Sequence, residues 1–191
     1  MIQKLIRKIK RKLGIKEMYQ SETSRVRHLV LEYCNGLGCD IGFGGDKVKK
    51  QNCLGIDYPQ PYAYTGKDKV DIACDVMNEK IPVADNHFDY VYTSHLIEDF
   101  VDTIAALKEF VRILKSEGNL ILVFPDQVKY EEYCIKTGQP VNTHHVHKNM
   151  GYDYMIAQLD KLENTKYQIL YKSDREITYN VVIVAKIIKS N

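Results

Sequence analysis

Five short apolar runs constrain this chain most: Gly38 to Gly42, Asn52 to Asp57, Val70 to Cys74, Phe88 to Thr93 and Asn119 to Phe124. Each ends in a glycine, an acid or a polar turn, and sequence of turn or helical pattern lies between them. Runs this short, mostly apolar and separated in this way, predict buried parallel strands with helices on the faces of the sheet. The clearest helical interval is "VDTIAALKEFVRILKSEG", where Ile104, Leu107, Val111 and Leu114 share one face and Gly118 supplies a stop. Another helix is expected from Ser21 or Thr23, with Val26, Leu29, Val30 and Tyr33 along one side, and another over Tyr154 to Leu162. The tail reads differently. "YQILYKSD" and "EITYNVVIVAKIIK" follow each other too closely for a crossover, so they predict an antiparallel pair closing the parallel sheet. The stretch from Thr137 to Met150 has no periodicity and is a candidate substrate lid.

A chain of 191 residues suits one domain with a full core. Its near balance of 27 basic and 25 acidic residues hides an asymmetry, because Lys4, Arg7, Lys8, Lys10, Arg11, Lys12 and Lys16 all precede the first acid, Glu17. The body is therefore net acidic and is not a nucleic-acid surface by charge. In residues 1–16, Ile2, Leu5, Ile6, Ile9 and Leu13 recur at helical spacing, which predicts a basic amphipathic helix that contacts anionic membrane or a partner protein. A helix packed on the domain itself or on a second copy is the alternative. The five cysteines show no C-x-x-C pair, and no apolar run is long enough for a membrane span or a signal peptide. A cytoplasmic location is expected, peripheral at the inner membrane face if the basic helix binds lipid.

Ligands of open parallel sheets sit beyond the carboxyl ends of the strands, so those turns carry the functional reading. Gly42, Gly44 and Gly45 allow close approach of backbone to ligand, but Lys47 stands where a dinucleotide fingerprint needs its last glycine, and no G-K-[ST] follows. Asp40 would repel a pyrophosphate and suits a cationic sulfonium or ammonium group. Asp57 can accept the hydroxyls of a ribose, and Asp75 an exocyclic adenine amine, with Val76 and Met77 beside the ring. An amino-acid cation, a ribose and an adenine in that order describe S-adenosylmethionine. A helix cap or a turn former is the alternative role for an acid at a strand end.

The pattern "CDIGFGGD", "LGIDY", "CDVMNEKIPVADNHFDYVYTSHLIEDF" and "ALKEFVRILKSEGNLILVFPD", over about Gly38 to Asp126, resembles class I S-adenosylmethionine-dependent methyltransferases of the type 11 group. "GFGGDK" with "PDQVKYEEYC" and "TGQPVN" is similar to small methyltransferases of cell-surface polysaccharide gene sets. The resemblance implies a Rossmann-like α/β methyltransferase domain over residues 17–191. It implies cofactor contacts from Asp40, Gly42, Phe43, Gly44, Asp57, Tyr58, Asp75, Val76 and Ser94. Asp46 occupies the family's third glycine position, and the link from Gly45 to Cys53 leaves room for one or two helical turns at most.

Methyl transfer to a hydroxyl is helped by a base with a pKa near neutrality, which favours histidine. His95 and Glu98 fall at the rim between cofactor and acceptor, with His145 a second catalytic candidate; packing and capping are the alternative roles. Asp126, Gln127, His144 and His147 are candidates for the acceptor side, and Tyr58, Tyr62, Tyr64, Tyr130 and Tyr133 could stack on a sugar ring. His145 and His147 lack the spaced partners of a metal site, so none is expected. The expected activity is O-methylation of a glycan or sugar precursor. The rival is a methyltransferase-like adaptor without turnover, favoured by Asp46 and opposed by Asp57 and Asp75.

Overall fold

A computed structural model describes residues 21–60, 66–176 and 179–190. The basic segment of residues 1–16, Tyr62 and Tyr64 lie outside the described residues. The elements run α1 (Glu22–Val30), β1 (Gly38–Ile41), β2 (Cys53–Asp57), β3 (Ile72–Ala73), β4 (Phe88–Ser94), α2 (Thr103–Ile113), β5 (Leu114–Pro125), α3 (Gln127–Thr137), α4 (Tyr152–Leu159), β6 (Thr165–Glu176) and β7 (Asn180–Lys189). Short 3-10 turns follow α1 and β4. The seven strands form one sheet of order β3-β2-β1-β4-β5-β7-β6. β1 pairs in parallel with β2 and β4, β4 with β5, while β7 is antiparallel to both β5 and β6. This is the expected mostly parallel α/β sheet with an antiparallel closing pair.

Strand periodicity divides the core into two layers. On one face Cys39, Ile41, Val91, Leu120 and Leu122 pack with Ala106, Leu107 and Phe110 of α2 and Met155 and Leu159 of α4. On the other, Tyr90, Tyr92, Ile121, Val123, Val182 and Val184 pack with Val26 and Val30 of α1, Cys34 and Val48. All five cysteines are buried and unpaired. Burial pushes the Cys34 thiol up to about 12.

Four local readings change. No helical turn remains in residues 42–52; so short a link must recross the height of the sheet, and a helix rises only about 1.5 Å per residue. β3 shrinks to two residues because the Asp71 carboxylate, as well as backbone, bonds to Gly55 of β2, its Oδ2 accepting the Gly55 amide at 2.7 Å. α2 stops at Ile113 rather than Gly118. Leu114 already pairs with Phe88, and Lys115 to Gly118 bulge out before Asn119 pairs with Tyr90. α3 is unexpected. Its signals were Asp126, whose carboxylate caps the Lys129 amide at 3.1 Å, and Gly138 in left-handed conformation at the far end.

Candidate active site

β1 and β4 are neighbours whose connections leave in opposite directions, so the crevice at their carboxyl ends is where an open α/β sheet binds ligand. Gly42 leaves β1 with φ +69°, and a Cβ there would stand 2.8 Å from the Leu96 side chain. The Gly44 amide donates to Asp57 Oδ2 at 2.9 Å, and Oδ1 of the same carboxylate accepts the Tyr58 amide at 2.8 Å. Burial raises the Asp57 pKa against the opposing pull of these two amides. Further out, the Tyr58 hydroxyl donates to Asp75 Oδ2 at 2.8 Å, where Asn78 Nδ2 also donates at 2.9 Å, and together they lower the Asp75 pKa. Tyr58 and Met77 are exposed beside this pair, and Val76 packs on the core. Asn78 was not anticipated, although an Asp followed three residues later by Asn is a turn signal.

The glycine corner is braced from below. The Gly66 amide donates to Gly44 O at 3.1 Å and the Asp68 amide to Gly45 O at 2.8 Å. Lys47 pairs with Asp71 at 2.8 Å, and Lys50 pairs with Asp68. Asp46 has work of its own in place of the missing glycine: it accepts hydrogen bonds from Ser21 Oγ, from Arg27 at 2.7 Å and from Lys50 at 3.1 Å. Burial alone would raise its pKa, but Ser21, Lys50 and Arg27 outweigh burial and lower it.

Three residues expected at the cofactor face inward. The Phe43 ring packs on Gly55, where a Cβ would meet it at 2.6 Å, and Ser94 is buried at the end of β4. Asp40 is fully buried, with Oδ2 accepting the Val48 amide at 2.7 Å and Oδ1 without a hydrogen-bond partner among the described residues. Burial drives its pKa well up. The folded state therefore keeps a proton that the unfolded chain releases above about pH 4, and stability from this group falls as pH rises from there. Asp40→Asn is expected to stabilise the protein at pH 7 by about 1 kcal/mol, a gain that shrinks toward pH 4. Urea unfolding at both pH values checks this.

On the acceptor side, His95 follows β4 with φ +53°, an unusual conformation for a histidine. Both ring nitrogens face oxygen. Nδ1 lies 3.4 Å from Glu98 Oε1, and Nε2 lies 3.1 Å from Asn180 Oδ1 and 3.7 Å from Glu22 Oε2. Burial alone would lower the His95 pKa, but Glu98, Glu22 and Asn180 together raise it. Glu98 is 1% exposed, and its Oε2 has no hydrogen-bond partner among the described residues. His145 Nε2 stands 3.7 Å from Glu98 Oε1, so the three catalytic candidates form one cluster. His145 Nδ1 donates to Gln127 Oε1 at 2.9 Å, because Gln127 Nε2 is committed to Glu131. Burial and the His95 charge lower the His145 pKa despite the carboxylate of Glu98. The two imidazoles are thus pushed apart in proton affinity.

The acceptor candidates divide. Gln127 is buried and orients His145, Asp126 caps α3, and His144 is exposed on the loop after α3. His147 latches that loop, with Nε2 donating to Phe100 O at 2.7 Å and Nδ1 accepting from the Tyr154 hydroxyl at 3.2 Å. The loop is held further where the Val146 amide reaches Glu98 O and the Asn142 amide the Tyr130 hydroxyl. The expected lid is therefore tethered at several points. Tyr130, Tyr133 and Tyr179 pack in series beside the histidines, with Tyr179 at 6.3 Å from His95 and Tyr130 at 4.8 Å from His145 between ring centres. Glu22, Asn180 and Tyr179 were not anticipated, since they lie far from His95 in sequence. Among the described residues, no group of three or more His, Cys, Asp or Glu side chains could hold a metal ion. No helix there is long and apolar enough to cross a membrane.

Residues 35–122 match the model of a methyltransferase domain family. A curated relative, the ubiquinone/menaquinone biosynthesis C-methyltransferase UbiE of Geotalea uraniireducens (strain Rf4), is 28% identical over 122 residues, 59% of this chain and 50% of that protein. The chain thus spans about half the length of that relative. Among solved structures, a protein of Pyrococcus horikoshii OT3 superposes with a TM-score of 0.64 at 15% identity, covering 90% of this chain and 92% of that one. A Thermotoga maritima S-adenosylmethionine-dependent methyltransferase, described as a possible histamine N-methyltransferase, gives 0.63 at 19% identity, covering 96% and 97%. S-adenosylmethionine is the methyl donor of this class, and the left-handed glycine turn with Asp57 at its edge fits it. The fold is therefore that of a class I S-adenosylmethionine-dependent methyltransferase, with the methyltransferase domain signature in residues 35–122.

Proposed function

We propose that this chain methylates a hydroxyl oxygen of a small acceptor, a sugar or glycan precursor, with His95 as the base. The observation that carries this reading is the strained His95 at the mouth of the crevice, backed by the buried Glu98 carboxylate. Bound S-adenosylmethionine supplies an electrophilic methyl group on a sulfonium, which leaves as a neutral thioether. Asp57 holds the ribose and Asp75 the adenine edge, fixing the donor along the β1 to β3 ends. Once His95 gives up its proton from Nε2, that lone pair faces Asn180 Oδ1 and favours a donor in its place. An acceptor hydroxyl is such a donor. Its proton passes to Nε2 as the new carbon–oxygen bond forms, and Glu98 stabilises the resulting imidazolium. The row of tyrosines supplies faces for a ring-shaped acceptor.

The curated relative supports a second reading, methylation at carbon of a hydroxylated aromatic ring. There the same base would take a phenolic proton and make the ring carbon nucleophilic. Incubation with methyl-labelled donor against sugar precursors and hydroquinones, followed by location of the label, separates the readings. Label on a sugar oxygen supports the first, label on a ring carbon the second. Intact donor binding with no turnover on either class would favour the adaptor.

The base reading fixes a pH dependence. His95 must be neutral to act, and its raised pKa moves the rising limb of the rate to higher pH than an ordinary histidine would give. Glu98→Gln removes the charge that holds the proton, so the limb should move to lower pH while the plateau falls about tenfold or more. A pH–rate profile of both proteins checks the direction, and an unmoved limb would remove Glu98 from this role.

A further inference from the structure

The first turn of α1 touches both halves of the crevice. At its cap Ser21 Oγ, and in its last turn Arg27, hold Asp46, the residue next to Gly45; Arg27 also donates to Val48 O at 3.0 Å and Lys47 O at 3.1 Å. One residue after the cap, Glu22 Oε2 accepts from Asn180 Nδ2 at 3.1 Å and lies 3.7 Å from His95 Nε2, while Arg25 clamps the same carboxylate at 2.8 and 3.0 Å. The bond to Glu22 settles which way the Asn180 amide points, and hence that its oxygen meets His95. Neither Glu22 nor Asp46 belongs to an expected catalytic set, yet one nine-residue helix joins them.

We propose that Glu22 is a positioning residue for His95, holding the ring by its carboxylate 3.7 Å from Nε2 as well as by its bond to Asn180, and that α1, which also grips Asp46 through Ser21 and Arg27, couples the glycine corner to the His95 ring. This deepens the reading of His95 as the base and rests on it. The groups facing His95 are Glu22 and, beyond it, Arg25 from α1, Glu98 from the 3-10 turn, His145 from the loop after α3, Tyr179 from the turn before β7 and Asn180 from its first residue. Of these groups, Glu22 and Arg25 sit on the helix whose cap residue Ser21 and Arg27 hold Asp46 at the cofactor corner. A displacement of the corner on donor binding would then pass along a rigid helix to the ring, with no change in the residues between.

The test is the imidazole titration of His95 in the full chain by NMR, its signal assigned by absence from His95→Asn. Glu22→Gln, isosteric and able to keep the Asn180 contact, should lower the His95 midpoint by about half to one pH unit. Asp46→Asn should lower the same midpoint and weaken S-adenosylhomocysteine binding together. Glu32→Gln, on the 3-10 turn after α1, serves as the control and should change neither. An unchanged His95 midpoint in Glu22→Gln overturns the positioning role, and an unchanged midpoint in Asp46→Asn overturns the coupling. Because the titration needs no turnover, its failure is distinct from a failure to find methyl transfer. Matched far-ultraviolet dichroism and thermal midpoints confirm that each variant is folded.

Discussion

Replacing Asp57 with alanine should weaken binding of S-adenosylmethionine and S-adenosylhomocysteine by about 30- to 150-fold, a loss of about 2–3 kcal/mol. The carboxylate is proposed to hold the donor's ribose, and it also orders the corner by accepting the amides of Gly44 and Tyr58. Hydrogen bonds to a charged, half-buried group are worth more than neutral ones, so losing them together is expensive. Asp57→Asn keeps an oxygen for the Gly44 amide and should fall between wild type and alanine. Titration calorimetry of the three proteins measures the series. An alanine variant that stays folded and binds within about threefold of wild type would end the ribose assignment.

His95→Asn should lower the methyl-transfer rate by about 10²–10⁴-fold while leaving donor affinity within about twofold. Asparagine is the informative replacement because it tolerates the left-handed backbone that His95 adopts, whereas alanine would add strain to the loss of the base. The amide cannot take up a proton at neutral pH, so the rising limb of the pH profile should vanish with the rate. Single-turnover kinetics with bound donor separates this effect from binding. A variant that retained its pH limb would assign the proton to another group, and His145, held neutral with Nδ1 on Gln127, would be next in line.

The proposed donor side was the more legible half of the candidate site. Gly42, Gly44, Asp57 and Asp75 are read from short windows because a strand end, its turn and its acid are adjacent in the chain. Asp40 and Phe43 share that window, yet strand alternation and a close approach to Gly55 turn them into the core. The acceptor side mixes the two cases. His95 and Glu98 are three residues apart and stood out together, whereas Glu22 and Asn180 reach His95 across separations of 73 and 85 residues. No local pattern marks such partners.

The sequence by itself determined the succession of strands along the chain, the antiparallel tail, and the acids and glycines at the strand ends. Those features follow from periodicity and turn chemistry, which act over a few residues. Only the tertiary structure decided that Asp46 grips α1, that β3 is cut short by Asp71, that α2 stops where Leu114 finds Phe88, and that His95 lies among Glu22, Glu98 and Asn180. Each depends on which groups the closed sheet brings together, and a buried polar group takes whatever partner the packing places within reach.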